Sequence, residues 1–153
     1  MKNAIKQSFL VAAVCFFLFP GIAQAAEYSN LEVRKILVST KTSSGEPIKY
    51  LKTSRPEVTV LDIILPPGGS TGWHKHPVPV YAYVQEGTIT VSLSKGKTIT
   101  FSKGDAFVEV MNTVHNGINM GDVPVRLIVF YTGEEKGPNV IREEPVKAAD
   151  NEK

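Results

Sequence analysis

Thr88-Ile89-Thr90-Val91-Ser92-Leu93-Ser94-Lys95-Gly96-Lys97-Thr98-Ile99-Thr100-Phe101 is the stretch that sets the fold class. Ile89, Val91 and Leu93 alternate strictly with hydroxyl residues. Successive side chains of a strand point to opposite faces, so the three apolar groups share one face and the hydroxyls the other. Ser94-Lys95-Gly96-Lys97 then carries a turn composition, and a second β-rich run follows at once. A hairpin with one buried face is the direct reading.

The same grammar extends in both directions. Upstream, Glu57 to Leu65 is apolar and β-branched, and Pro66-Pro67-Gly68-Gly69 stops it. Tyr81 to Val84 is a short aromatic strand turned by Glu86-Gly87. Downstream, Lys103-Gly104-Asp105 turns into Ala106 to Val110, and Val125 to Tyr131 forms a last strong strand. Turn signals recur about every ten residues, as in a β-sandwich or barrel, and antiparallel strands this short resolve their edges by pairing sheets or closing. Beyond residue 25 no stretch has convincing helical periodicity. The chain of 153 residues is 42% hydrophobic and 21% charged, enough for one domain with a core and too short for a large α/β barrel. The expected organisation is residues 1–25 as a leader, 26–56 as an N-terminal arm with strands, 57–132 as the core and 133–153 as a charged tail. Pro138 and Pro145 make that tail a partly extended arm.

The leader is read from Lys2 and Lys6, the apolar run Phe9 to Phe19, the Pro20-Gly21 break and Ala23-Gln24-Ala25. This is the layout of a secretory signal cleaved after Ala25, which implies a periplasmic or secreted protein. The apolar run is about half the roughly 20 residues a bilayer span needs, so no membrane association is expected once it is removed. Of 17 Lys+Arg, cleavage removes Lys2 and Lys6, leaving 15 against 15 Asp+Glu. The mature chain therefore has no net formal charge, and nucleic acid is not an expected partner. Cleavage also removes Cys15, the single cysteine, so thiol nucleophiles, disulfides and cysteine metal ligands are excluded.

Three histidines remain. His74 and His76 are two apart, so in extended chain both rings leave the same face. His115 lies 39 residues further on, after a strand and turn that a hairpin-built sheet can bring back opposite the pair. Neutral imidazoles suit Fe, Zn, Mn, Ni or Cu; the competing reading is hydrogen-bonding surface residues or metal-free acid–base groups.

The spacing around these histidines resembles the cupin superfamily. Gly68, five residues, His74-Lys75-His76 and Gly87 match its first motif; Gly104-Asp105, His115 and Asn119 match the second, with the 16 residues from Thr88 to Lys103 between them. The likeness runs from Val58 to Tyr131. It implies an all-β double-stranded β-helix, a jelly-roll barrel with short N- and C-terminal arms, and histidines that ligate a divalent transition metal inside it. It also implies a homodimer formed by exchange of an N-terminal strand, for which Leu31 to Val38 is the candidate. Two departures stand out. Val80 occupies the place of the family's ligand Glu, and Val110 and Asn112 replace the Pro and Gly of the second motif. A Val cannot bind a cation, which leaves His74, His76 and His115 as the metal ligands, fewer negative charges and weaker affinity for hard cations.

Glu109 is the candidate catalytic residue. A carboxylate within the apolar run Ala106 to Val110 costs several kcal/mol inside a barrel unless paired or metal-bound. It is either a substitute fourth ligand, a general base with a raised pKa, or turned to solvent by its alternation with Val108. Trp73, Tyr81, Tyr83 and Phe107 are candidates for a substrate pocket, or else barrel filling. Asn119 is expected to order the turn after His115. Three functions stay open: a small metalloenzyme of dioxygenase, isomerase or lyase type acting on a small molecule; a non-catalytic binding protein for a sugar, acid or aromatic compound; or a metal-holding structural protein.

Overall fold

The computed structural model describes residues 31–144; the expected signal sequence lies outside them. Nine strands follow in order: β1 Pro56–Leu65, β2 His74–Lys75, β3 Val80–Glu86, β4 Thr88–Leu93, β5 Thr98–Ser102, β6 Ala106–Val108, β7 His115–Ile118, β8 Val125–Glu134 and β9 Ile141–Arg142. They build two sheets, ordered β1-β8-β3-β6 and β5-β4-β7-β2-β9, and every pairing between these strands is antiparallel. The result is an all-β jelly roll.

Alternation decides which side chains face inward. Ile89, Val91 and Leu93 of β4 are buried, as are Val80, Ala82 and Val84 of β3 and Val125, Leu127, Val129 and Tyr131 of β8. At about 25 cal/mol per Å² of apolar surface removed from water, this set is the main source of stability in a domain with no cysteine among the described residues. Phe107 stacks on Phe101, with centroids 3.7 Å apart and planes 6° off parallel.

Backbone shape at two positions explains the turn chemistry. Gly87 sits at φ +73°, and a Cβ there would lie 2.5 Å from the Pro124 carbonyl oxygen, so only glycine fits between β3 and β4. Asn112 adopts φ +49°, the left-handed region that Asn tolerates better than other side chains. It takes this shape where the second motif places a Gly, which is how that departure is absorbed.

The ends differ from the expected organisation. Between residues 31 and 55 there are no strands, only an isolated bridge between Lys41 and Pro47. The start of the expected tail is part of the fold: β8 continues to Glu134, and β9 returns to pair with β2, placing Arg142 opposite His74 and Ile141 opposite Lys75.

Candidate metal centre

The inner faces of both sheets enclose one cavity. His74 enters it from β2 and His115 from β7, as directly opposed partners of an antiparallel pair, so their side chains leave the same face. His76 follows β2, where it forms a bridge with Met111 and its carbonyl accepts from the Asn112 amide. The loop before His74 is pinned to β7: the Ser70 hydroxyl donates to Asn116 Oδ1 (2.7 Å), and the Thr71 hydroxyl accepts from the Gly117 amide (2.9 Å). Asn119 orders the following turn, its Nδ2 donating to the carbonyls of Leu65 and Val123.

The three imidazoles are buried, at 7%, 2% and 1% exposure, with ring centroids 4.3–5.0 Å apart. Each Nδ1 meets a backbone carbonyl: His74 that of Gly72 (2.7 Å), His76 that of Asn139 (2.9 Å), His115 that of Thr113 (2.8 Å). A carbonyl only accepts, so each Nδ1 carries a proton, and a ring in its neutral form presents a bare lone pair on Nε2. Those Nε2 atoms converge. The pair on His74 and His76 are 3.2 Å apart, and His115 Nε2 is buried without a hydrogen-bond partner. Facing lone pairs repel, whereas two nitrogens about 2.1 Å from one ion stand roughly 3.0–3.4 Å apart. The donor set, its carbonyl-fixed orientation and the orphaned nitrogen all fit a transition-metal ion.

Glu109 completes the ring of groups. Its side chain is 14% exposed and Oε2 lies 3.2 Å from His115 Nε2. The amide of Glu109 donates to the Val80 carbonyl, extending the β3–β6 ladder by one step beyond the Tyr81–Val108 pair. Val80, which stands where the ligand Glu was expected, therefore has a carboxylate as its cross-strand neighbour. Burial would raise the Glu109 pKa, but the imidazole of His115, 3.2 Å away, and behind it those of His76 and His74, outweigh burial and hold the carboxyl below its usual range. The shift thus runs opposite to the expected raised pKa, because the neighbouring imidazoles outweigh burial. Burial likewise depresses His115, yet the adjacent Glu109 carboxylate prevails and pushes it up. Burial dominates at His74, lowered to about 4, and at His76, also lowered.

Of the aromatic candidates, Phe107 lines the cavity. Tyr81 and Tyr83 do not, because they alternate with the buried Val80, Ala82 and Val84 and so project from the other face of β3. Trp73 is absent from the lining as well. Tyr131 of β8, which aromatic composition alone does not mark as a site residue, does line it. Its ring meets His76 edge-on at 5.6 Å, and burial, with Glu109 adding to it, pushes its phenol up to about 12, so it stays a hydrogen-bond donor. Its parity with Val125, Leu127 and Val129 was the available signal. Asn139 acts through its backbone, for which no sequence signal exists. The inner cavity is about 30 Å³, room for one or two waters beside the imidazoles. Ile63, Thr71, His74 and Tyr131 also line an outer cavity of about 320 Å³ at its mouth.

Comparison with protein families matches residues 61–131 to the model described as Cupin domain. No curated protein matches. Among solved structures, similar chains include a DMSP lyase (17% identity, 57% of this chain and 44% of that one, TM-score 0.47) and an RmlC-like cupin from Shewanella frigidimarina (21%, 52% and 69%, 0.45). A cupin domain from Bordetella pertussis is 25% identical over 54% of this chain and 86% of that one, with a TM-score of 0.42. The chain spans less than half the length of the lyase.

Proposed function

Residues 61–131 being a cupin domain, we propose that the chain is an exported metalloenzyme that holds one divalent transition-metal ion on His74, His76 and His115 and acts on a small organic molecule. The observation that carries this reading is the convergence of three Nε2 atoms whose Nδ1 partners are all backbone carbonyls. When bound, the ion would supply a Lewis acid for polarising a carbonyl or a water, or a site for oxygen chemistry of the dioxygenase kind. The protein's own groups do the rest. Glu109 lines the chamber with its carboxylate 3.2 Å from His115 Nε2, which places it to accept a proton from water or ligand. Tyr131 offers a phenol able to donate a hydrogen bond to a bound molecule, while Ile63, Val91, Leu127 and Val129 keep the chamber apolar. Lys2 and Lys6 before the apolar run Phe9 to Phe19, followed by Ala23-Gln24-Ala25, support export. Exposed Ile36 and Val38 in the strandless arm support pairing with a second copy.

The test is elemental analysis of protein purified without chelators, with His74→Ala and His115→Ala alongside. The unmutated protein should carry or take up one zinc, iron, manganese, nickel or copper per chain, and each variant should lose it while keeping a β-type circular dichroism spectrum. Unmutated protein that neither carries nor binds such an ion would sink the proposal. A second reading, a non-catalytic binding protein, is favoured by the small inner chamber, which would force a substrate to react at its edge. Turnover of a candidate substrate separates the two.

A further inference from the structure

The outer cavity has one charge in its lining, and that charge is positive. Arg142 enters from β9 as the register partner of His74. Its Nη1 donates to the Thr71 carbonyl, which draws the guanidinium over the loop that delivers His74; a Cβ on Gly72 would lie 2.8 Å from that same Nη1. A guanidinium has five N–H donors in a planar fork, and this contact uses one side of it. Among the described residues no carboxylate pairs with Arg142: the neighbouring Glu143 is bound to Lys75 at 2.5 Å. The rest of the lining is apolar at Leu61, Ile63 and Val140, with Ser70 and Thr71 hydroxyls already engaged with β7.

We propose that Arg142 captures the carboxylate of a small organic acid and seats its apolar body in this vestibule, with the far end toward His74 and Tyr131. An uncompensated guanidinium at the rim of a half-apolar cavity of about 320 Å³ matches a carboxylate on a compact hydrocarbon body. Arg142 is exposed and stays hydrated when unpaired, so a neutral sugar would gain nothing from its charge, whereas a carboxylate would. The acid is the ligand class of the site proposed above, so the inference rests on that reading for its catalytic meaning. Capture itself depends on Arg142 and the vestibule alone.

The experiment titrates benzoate, butyrate and benzamide into the full chain by calorimetry, zinc-loaded and metal-free, for the unmutated protein, Arg142→Gln and Arg142→Lys. Benzoate and butyrate should bind both forms, with benzamide weaker by at least roughly tenfold. Arg142→Gln should lose roughly tenfold or more in benzoate affinity, and Arg142→Lys should lose less than Arg142→Gln, because it keeps the charge but not the planar fork. Both variants should keep the zinc stoichiometry. Benzamide equal to benzoate, benzoate unaffected by Arg142→Gln, equal losses in both variants, or no binding of either acid would overturn the proposal. Zinc that fails to bind while the charge discrimination survives defeats the metal reading and supports this one.

Discussion

Replacing Glu109 by Gln isolates the charge of one carboxylate at nearly constant shape. In the metal-free protein Oε2 stands 3.2 Å from His115 Nε2. Opposite unit charges at that distance attract by about 5 kcal/mol at an effective dielectric of about 20. Desolvation of two mostly buried ions costs several kcal/mol each and cancels most of this gain. A Gln amide can instead donate to the neutral imidazole, so the metal-free fold should change by less than about 1 kcal/mol. Metal binding has no such compensation. It loses a negative charge beside a dication, and groups of this kind contribute roughly 10–100-fold to affinity, about 1.4–2.7 kcal/mol. Urea unfolding of the metal-free protein and chelator competition for zinc measure the two terms separately. Zinc affinity within twofold of the unmutated protein would refute a role for Glu109 at the ion. A metal-free loss above about 3 kcal/mol would show the pair to be structural instead.

Gly87→Ala puts a methyl group 2.5 Å from the Pro124 carbonyl at a positive φ, and should cost about 2–4 kcal/mol in urea unfolding. Asp62 of β1 grips Arg126 of β8 at 2.8 and 2.5 Å, and that hydrogen bond, with the Arg126 charge and against a small effect of burial, holds its carboxyl below the usual range. A depressed carboxyl stabilises fully above its unfolded pKa of about 4 and loses this as pH falls through the folded value. Asp62→Asn should therefore lower the urea midpoint slightly at pH 7 and converge with the unmutated protein in strong acid; both ends are exposed, so the effect is small. Asn112→Ala loses the side chain best suited to φ +49°, and should cost about 1 kcal/mol by the same urea assay without changing zinc stoichiometry.

Strand parity made much of this molecule legible. The Ile89-Val91-Leu93 alternation and the His-Lys-His spacing both survive in the structure as inward-facing sets. Aromatic character misled at Tyr81 and Tyr83, where parity assigns the inner face to Val80, Ala82 and Val84. Glu109 was undecidable from its own strand, because its orientation follows from the cross-strand step to Val80. The contribution of residues 139–142 was hidden for a different reason. A backbone carbonyl on His76 and a two-residue strand beside β2 leave no compositional trace in a polar, proline-containing segment.

The antiparallel ladder that joins β1 to β8 matches Pro56 with Glu134 and Leu65 with Val125, so the first strand waits for the last long one. Pairings this distant in sequence close slowly. A ribosome would have finished nearly the whole polypeptide before its opening strand found a neighbour, and Asn139 would reach His76 later still. Ion acquisition thus belongs to the completed molecule: nascent fragments would carry the imidazoles long before anything held them in register.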